Sequence, residues 1–184
     1  MLEMAEGRRT LSDLEVREKM EFQQGDIREI DLHEQYDVVL SLFHVMSYQT
    51  TNEDLVAVFR SAKKHLKSGG VFLFDCWYGP GVLSDPPVTR VKRLEDETCK
   101  IVRLAEPEMH PNENLDDVNY QIIIEDKETG SVESIKEQHK MRFLFRPEIE
   151  MALMASGMEI IDYGEWMTGN IPSEKSWCAY FVVG

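Results

Sequence analysis

Two short apolar runs, residues 36–43 (YDVVLSLF) and 71–75 (VFLFD), constrain this 184-residue chain more than any other feature. Both are nearly continuous in β-branched and aliphatic side chains rather than alternating, the pattern of strands buried on both faces by helices. Between them, residues 51–66 repeat Leu55, Val58, Phe59, Ala62 and Leu66 at helical spacing, and Thr51 stands three residues before Asp54 as in a capping box. Lys63, Lys64 and Lys67 complement the dipole at the helix end, and Gly69-Gly70 offers the left-handed conformation that stops it. A strand, a helix and a strand in that order make a right-handed crossover in a parallel sheet. Such sheets bind ligands at the carboxyl ends of their strands.

Upstream, residues 20–23 (MEFQ) form a short strand candidate that stops at Gln24-Gly25-Asp26. Downstream the texture changes to antiparallel strand signals at residues 98–104, 117–125 and 131–143, the last two joined by Lys127-Glu128-Thr129-Gly130. Pro147 opens a final helix that Gly157 closes, and residues 158–163 and 177–183 read as a closing hairpin. The length fits one domain, residues 1–184, in which residues 85–143 are an antiparallel insertion on the substrate side.

Asp and Glu number 34 against 20 Lys and Arg, for a net charge of −14, so a phosphate backbone would be repelled and nucleic acid is not an expected partner. No apolar stretch reaches the length of a membrane span, and the first ten residues lack the apolar block of a signal peptide, so no membrane partner is expected either. Cys76, Cys99 and Cys178 are odd in number and far apart, which reads as free thiols in a reducing, cytoplasmic setting. No cluster of His, Cys or carboxylates has metal-ligand spacing, and no metal is expected.

Gly25-Asp26-Ile27 after a strand, the strand bearing Asp37, the helix ending in Lys67-Ser68-Gly69-Gly70, and residues 71–75 stand in the order and spacing of class I S-adenosylmethionine-dependent methyltransferases, which this chain resembles. Glu137-x-His139-x-x-Arg142-Phe143-x-Phe145-x-x-Glu148-Ile149, followed by Ala155-x-Gly157-Met158, is similar to the family segment that leads into the last helix and strand. Met1-Leu2-x-x-Ala5 resembles the start of the helix after the family's second strand. The resemblance implies an α/β, Rossmann-like class I methyltransferase sheet with its first strands missing, carrying the antiparallel β insertion. Within the family, residues 41–48, Trp77-Tyr78 and the insertion look most like the nucleotide-sugar N,N-dimethyltransferases of the desosamine type. Cys76-Trp77-Tyr78 replaces their Pro-Trp-Trp, and residues 171–176 (IPSEKS) replace their Gly-Pro-Ser-Gly-Arg-Gly.

Methyl transfer from a sulfonium is an in-line displacement, so the protein has to position donor and acceptor and needs no covalent nucleophile. By the resemblance, the cofactor is S-adenosylmethionine. Asp26 would accept from the adenine amino group and Ile27 pack on the ring, while Ser41, Leu42 and Phe43 would line its methionine part. Tyr48 would face the acceptor as orienting group or base, with His44 within reach, and Trp77, Tyr78 and His139 would wall the acceptor. Each has a plainer reading: Asp26 as a turn aspartate, Phe43 as core, Tyr48 as cover for the helix start, His44 as a structural histidine, and Trp77 and Tyr78 as packing. Glu137 and His139 alternate on one strand and share a face, turned toward either the substrate or solvent.

The same resemblance puts the family's first strand, its Gly-x-Gly-x-Gly turn and its ribose-binding acid before Met1. On the order 3-2-1-4-5-7-6, residues 20–23 and 36–43 would then stand about 14 Å apart with unpaired edges. The expected results are a homodimer or strand-exchanged pair, weak or absent cofactor binding, and a chain that is inactive on its own. The reaction expected is methylation of a small-molecule acceptor at nitrogen, an amino sugar or similar amine. The alternative is a non-catalytic methyltransferase-like module or partner subunit. A dinucleotide oxidoreductase fits less well, because its fingerprint is absent.

Overall fold

A computed structural model describes residues 2–184. The chain begins with helices α1 (Leu2–Thr10) and α2 (Leu14–Arg17), neither of which buries a side chain. Met1, part of the motif at the start of α1, lies outside the described residues. Residues 20–23 run as irregular chain rather than the expected strand, with Met20 and Phe22 exposed. Four residues without a neighbouring strand have no ladder to satisfy their backbone groups, which stay in water instead.

The crossover follows. Strand β1 (Tyr36–Ser41) leads through a single 3-10 turn (Val45–Tyr48) to helix α3 (Asn52–Lys64), and strand β2 (Leu66–Tyr78) returns parallel to β1. Thr51 caps α3, its hydroxyl accepting the Asp54 N–H at 3.0 Å. The glycine pair acts one step later than its spacing suggests. The helix ends at Lys64, and Gly69-Gly70 lies inside β2, where the register jumps from Tyr36 opposite Leu66 to Val38 opposite Val71. Gly69 takes φ 79°, and a Cβ on Gly70 would stand 3.0 Å from the carbonyl oxygens of Tyr36 and Asp37, so glycine permits this irregularity rather than a helix cap.

Short helix α4 (Gly79–Ser84) is followed by an antiparallel run of β3 (Arg90–Glu95), β4 (Cys99–His110), β5 (Leu115–Asp126) and β6 (Val132–Leu144). Helix α5 (Arg146–Ser156) stops at Gly157 and leads into the hairpin of β7 (Ile160–Glu165) and β8 (Cys178–Val183). The strands form one sheet in the order β3-β4-β5-β6-β2-β8-β7, with β1 also on β2. The run β1-β2-β8-β7 reproduces positions 4-5-7-6 of the expected order.

Alternation along β2 sorts its two faces. Phe72, Phe74 and Cys76 are buried against α3 and α5, where Phe59, Phe74 and Phe181 pack ring on ring with centroids 5.4–5.5 Å apart. The opposite face is not covered by helices among the described residues, a departure from strands buried on both sides. Val38 and Leu40 of β1 remain 51% and 58% exposed there. An apolar run of β-branched residues records high strand propensity, but burial of its second face depends on what packs against it.

Candidate acceptor and cofactor site

β2 offers one edge to two strands in succession. β1 holds that edge up to Ser41, opposite Phe74, and β6 takes it over at Trp77 and Tyr78, opposite Phe143 and Leu144. The carboxyl end of β1 therefore meets the inner face of the antiparallel layer, and the site forms at this junction.

Register fixes what the layer contributes. Tyr120 stands opposite Glu137 and Val118 opposite His139, with Arg103 opposite Ile122, so these side chains share one face of β4, β5 and β6. They close a hollow of about 350 Å³ together with Phe43, His44, Tyr48 and Trp77 from the crossover. Tyr48 Oη lies 2.7 Å from His139 Nδ1, and His139 Nε2 lies 3.5 Å from the Glu137 carboxylate. Tyr120 meets the His139 ring edge-on at 5.3 Å, and the Arg103 guanidinium sits 5.3 Å over the Tyr120 ring. A second hollow shares Trp77, Arg103, Val118 and Tyr120 with the first and continues past Arg90 to Trp177, whose indole N–H donates to the Asp85 carbonyl.

The corner after β1 is strained. Phe43 and His44 both adopt the left-handed region, at φ 64° and 62°. Two consecutive non-glycine residues there need a specific anchor. Asp75, 1% exposed on the side of β2 that faces away from the core, supplies it by accepting the His44 N–H on both carboxylate oxygens at 3.2 Å. His44 Nδ1 also approaches Asp75 Oδ2 to 2.7 Å without the alignment of a hydrogen bond, so the contact acts as an ion pair. This carboxylate, reinforced by Cys178 Sγ at 3.9 Å from Nε2, raises the His44 pKa to about 9 despite partial burial. The Trp77 N–H donates to Ser47 Oγ at 2.9 Å and ties the 3-10 turn to β2.

The cofactor residues inferred from the resemblance fall elsewhere. Ile27, Ser41 and Leu42 line a largely apolar cavity of about 440 Å³ beside β1, and the Ser41 hydroxyl is buried there without a hydrogen-bond partner. An orphaned hydroxyl at the end of an apolar slot suits a ligand with a flat ring and a few polar atoms. Asp26 is engaged otherwise: Arg28 grips its carboxylate through Nε and Nη2 and bridges to Asp54, which holds the Asp26 pKa down to about 2. Phe43 joins the hollow under the antiparallel layer rather than this cavity, and at 86% exposure it is not core. Tyr78 points opposite to Trp77 and packs against the core, as alternation on β2 requires. Arg103, Tyr120, Trp177 and Asp75 were not singled out from sequence. Residue spacing of two along the strands marks their faces, but the register that brings them together is tertiary. Among the described residues no group of three His, Cys, Asp or Glu side chains is placed to hold a metal ion, and no helix is long and apolar enough to cross a membrane.

An open sheet with a parallel crossover, an antiparallel closing hairpin and a hollow at the strand ends is the class I methyltransferase fold, and the chain resembles the sugar N-methyltransferases within it. Residues 1–70 match the family described as a methyltransferase domain. A 138-residue stretch is 27% identical to a dTDP-3-amino-3,4,6-trideoxy-alpha-D-glucopyranose N,N-dimethyltransferase of Streptomyces venezuelae, covering 74% of this chain and 56% of that protein. A dTDP-4-amino-2,3,4,6-tetradeoxy-D-glucose N,N-dimethyltransferase of Saccharopolyspora spinosa is 40% identical over 65 residues, 35% of this chain and 26% of its own. The chain thus spans 56% or less of these curated relatives. In solved structures the fold recurs in an S-adenosylmethionine-dependent methyltransferase from Clostridium acetobutylicum, with a TM-score of 0.73 at 20% identity over 86% of this chain and 62% of that one. It recurs also in a sugar N-methyltransferase from Streptoalloteichus, with a TM-score of 0.70 at 21% identity over 86% and 60% of the two chains.

Proposed function

We propose that this chain carries the acceptor site of an S-adenosylmethionine-dependent methyltransferase that methylates a small-molecule amine, an amino sugar or a similar compound, at nitrogen. The observation that carries this reading is the hollow where Tyr48, His44 and Trp77 from the crossover meet His139, Glu137 and Tyr120 from the antiparallel layer. In this reading residues 85–143 form the substrate-side insertion of a single domain. Ile27, Ser41 and Leu42 would hold the adenosyl part of the cofactor, and Asp26 would join them once Arg28 releases it. The bound cofactor supplies an electrophilic methyl group on a sulfonium. The chain's own residues orient the amine and keep it neutral, because a protonated nitrogen has no lone pair to attack with. The amino-sugar relatives and the aromatic walls of the hollow favour an acceptor with both an apolar body and an amine.

One observation favours the alternative, a non-catalytic methyltransferase-like module: Arg28 occupies the carboxylate that the adenine would need. Calorimetric titration with S-adenosylhomocysteine separates the two. Saturable binding that weakens about tenfold in Asp26→Ala, the scale of one lost charge-assisted hydrogen bond, supports the enzyme. No heat at millimolar ligand supports the module. Methyl transfer from labelled S-adenosylmethionine to D-glucosamine, free alkyl amines and phenols then reads which acceptor atom is used. The reading extends to a cytoplasmic setting, in keeping with three free thiols, and to pairing of the exposed β1 edge with a second copy of the chain.

A further inference from the structure

We propose that Tyr48, His139 and Glu137 form a proton relay that removes the proton an ammonium acceptor has to lose before its nitrogen attacks. The inference rests on the methyltransferase reading above and assigns a proton path within it.

Hydrogen-bonding capacity fixes the direction of the relay. A carboxylate only accepts, so Glu137, 3.5 Å from Nε2, calls for the His139 ring proton on that nitrogen. Nδ1 is then bare and accepts the Tyr48 O–H across 2.7 Å. The phenol oxygen keeps lone pairs for a donor from the hollow, and an acceptor ammonium is such a donor. When the ammonium N–H bond breaks, its proton bonds to Tyr48 Oη while the original phenol proton passes to His139 Nδ1. The lone pair returns to the acceptor nitrogen, and the positive charge ends on an imidazolium beside the Glu137 carboxylate. Tyrosinate never accumulates, in keeping with a Tyr48 pKa pushed up by burial and by neighbouring Tyr120 and Glu137.

The surroundings fit a relay rather than a packing contact. The rings of Tyr48 and Tyr120 hold His139 edge-on at 5.8 and 5.3 Å, which fixes its plane. Tyr48 itself is 46% exposed toward the hollow, and the His139 side chain keeps a third of its surface open, a path for the proton to water. Other titratable and charged groups on this face include Arg90 and Lys92 of β3, Arg103 of β4, Tyr120 and the buried Asp116 of β5, Glu133 of β6, and His44 at the end of β1. Tyr48 is the group that touches substrate; His139 and Glu137 are positioning residues that act through it.

Nitrogen-15 NMR of the histidine rings in the full chain tests the relay without any ligand. The expected signature at pH 8 is a protonated Nε2 and a bare Nδ1 on His139, with the preference lost in Glu137→Ala and the Nδ1 signal displaced in Tyr48→Phe. A ring protonated on Nδ1, or signals unchanged in both variants, overturns it. With D-glucosamine as acceptor, Tyr48→Phe and His139→Gln should lower kcat at pH 7 on the order of 10²-fold, the usual scale of acid-base assistance. That deficit should close as pH rises and the amine loses its proton to water, with KM little changed. A deficit independent of pH, or a change confined to KM, overturns the relay. Absence of transfer by the wild-type chain, with the expected tautomer present, overturns the methyltransferase reading instead.

Discussion

Asp75 and His44 decide the shape of the corner from which the hollow is built. A carboxylate buried to 99% has to be compensated, and here the compensation is one backbone N–H and one imidazole held at a strained turn. The His44 pKa, raised from 6.5 to about 9 in the folded chain, makes this contact pH-dependent. A raised folded pKa contributes stability that is fully present below pH 6.5 and is lost as pH climbs through about 9. Denaturant unfolding across pH 6 to 10 should therefore show Asp75→Asn less stable than wild type at neutral pH by about 1–3 kcal/mol, the cost of breaking a buried polar contact. The two curves should converge above about pH 9. A constant difference at all pH values would assign the effect to packing alone. Sequence marked His44 as a candidate, but Asp75 read as the last residue of a strand; only the turn back of residues 43–44 across β2 makes it an anchor.

Between elements, the junction of α3, β6 and α5 depends on one buried guanidinium. Arg142 Nη2 donates to Asn52 Oδ1 at the start of α3, at 2.6 Å, and to Glu148 of α5. The second Glu148 oxygen accepts the Phe145 N–H at 3.2 Å, which satisfies a free donor at the head of α5. Removing one partner strands the other, so Glu148→Ala should destabilise the fold by about 3–5 kcal/mol. The double variant Arg142→Met with Glu148→Leu should recover a large part of that loss, since two apolar side chains leave no charge unpaired. Thermal unfolding of Glu148→Ala, of Arg142→Met and Glu148→Leu singly, and of the double variant checks this, and additive losses in the cycle would mean the pair is not coupled. The helix itself was legible: Pro147, Glu148 and Gly157 mark its ends by local chemistry. The tie to Asn52 was not, because it joins residues 90 positions apart.

For the whole molecule, the sheet is unevenly covered. Helices protect the face bearing Phe72 and Phe74, while the opposite face and the outer edge of β1 leave Val38 and Leu40 in contact with water. Free edge groups beside apolar side chains favour pairing with another strand. A charge of −14 opposes self-association at low ionic strength and is screened with a Debye length of about 10 Å at 0.1 M salt. Sedimentation velocity should therefore show association that grows with protein concentration and with salt. Val38→Lys, placing charge on that exposed face, should return the chain to monomer. A monomer at all concentrations and salts would remove edge pairing from the proposed function.

The sequence by itself determined the crossover, the antiparallel layer and the closing hairpin. These follow from hydrophobic period, caps and turn residues, all of which act over a few positions. Residues 20–23 show the limit of such signals, since an apolar tetrapeptide becomes a strand only when a neighbour offers its backbone. Tertiary structure alone decided which side chains meet in the hollow. Tyr48 and His139 are 91 positions apart and come within a hydrogen bond because β6 takes the edge of β2 where β1 leaves it. Register between strands is set by the packing of whole faces, so this contact is a property of the sheet that no local stretch of sequence contains.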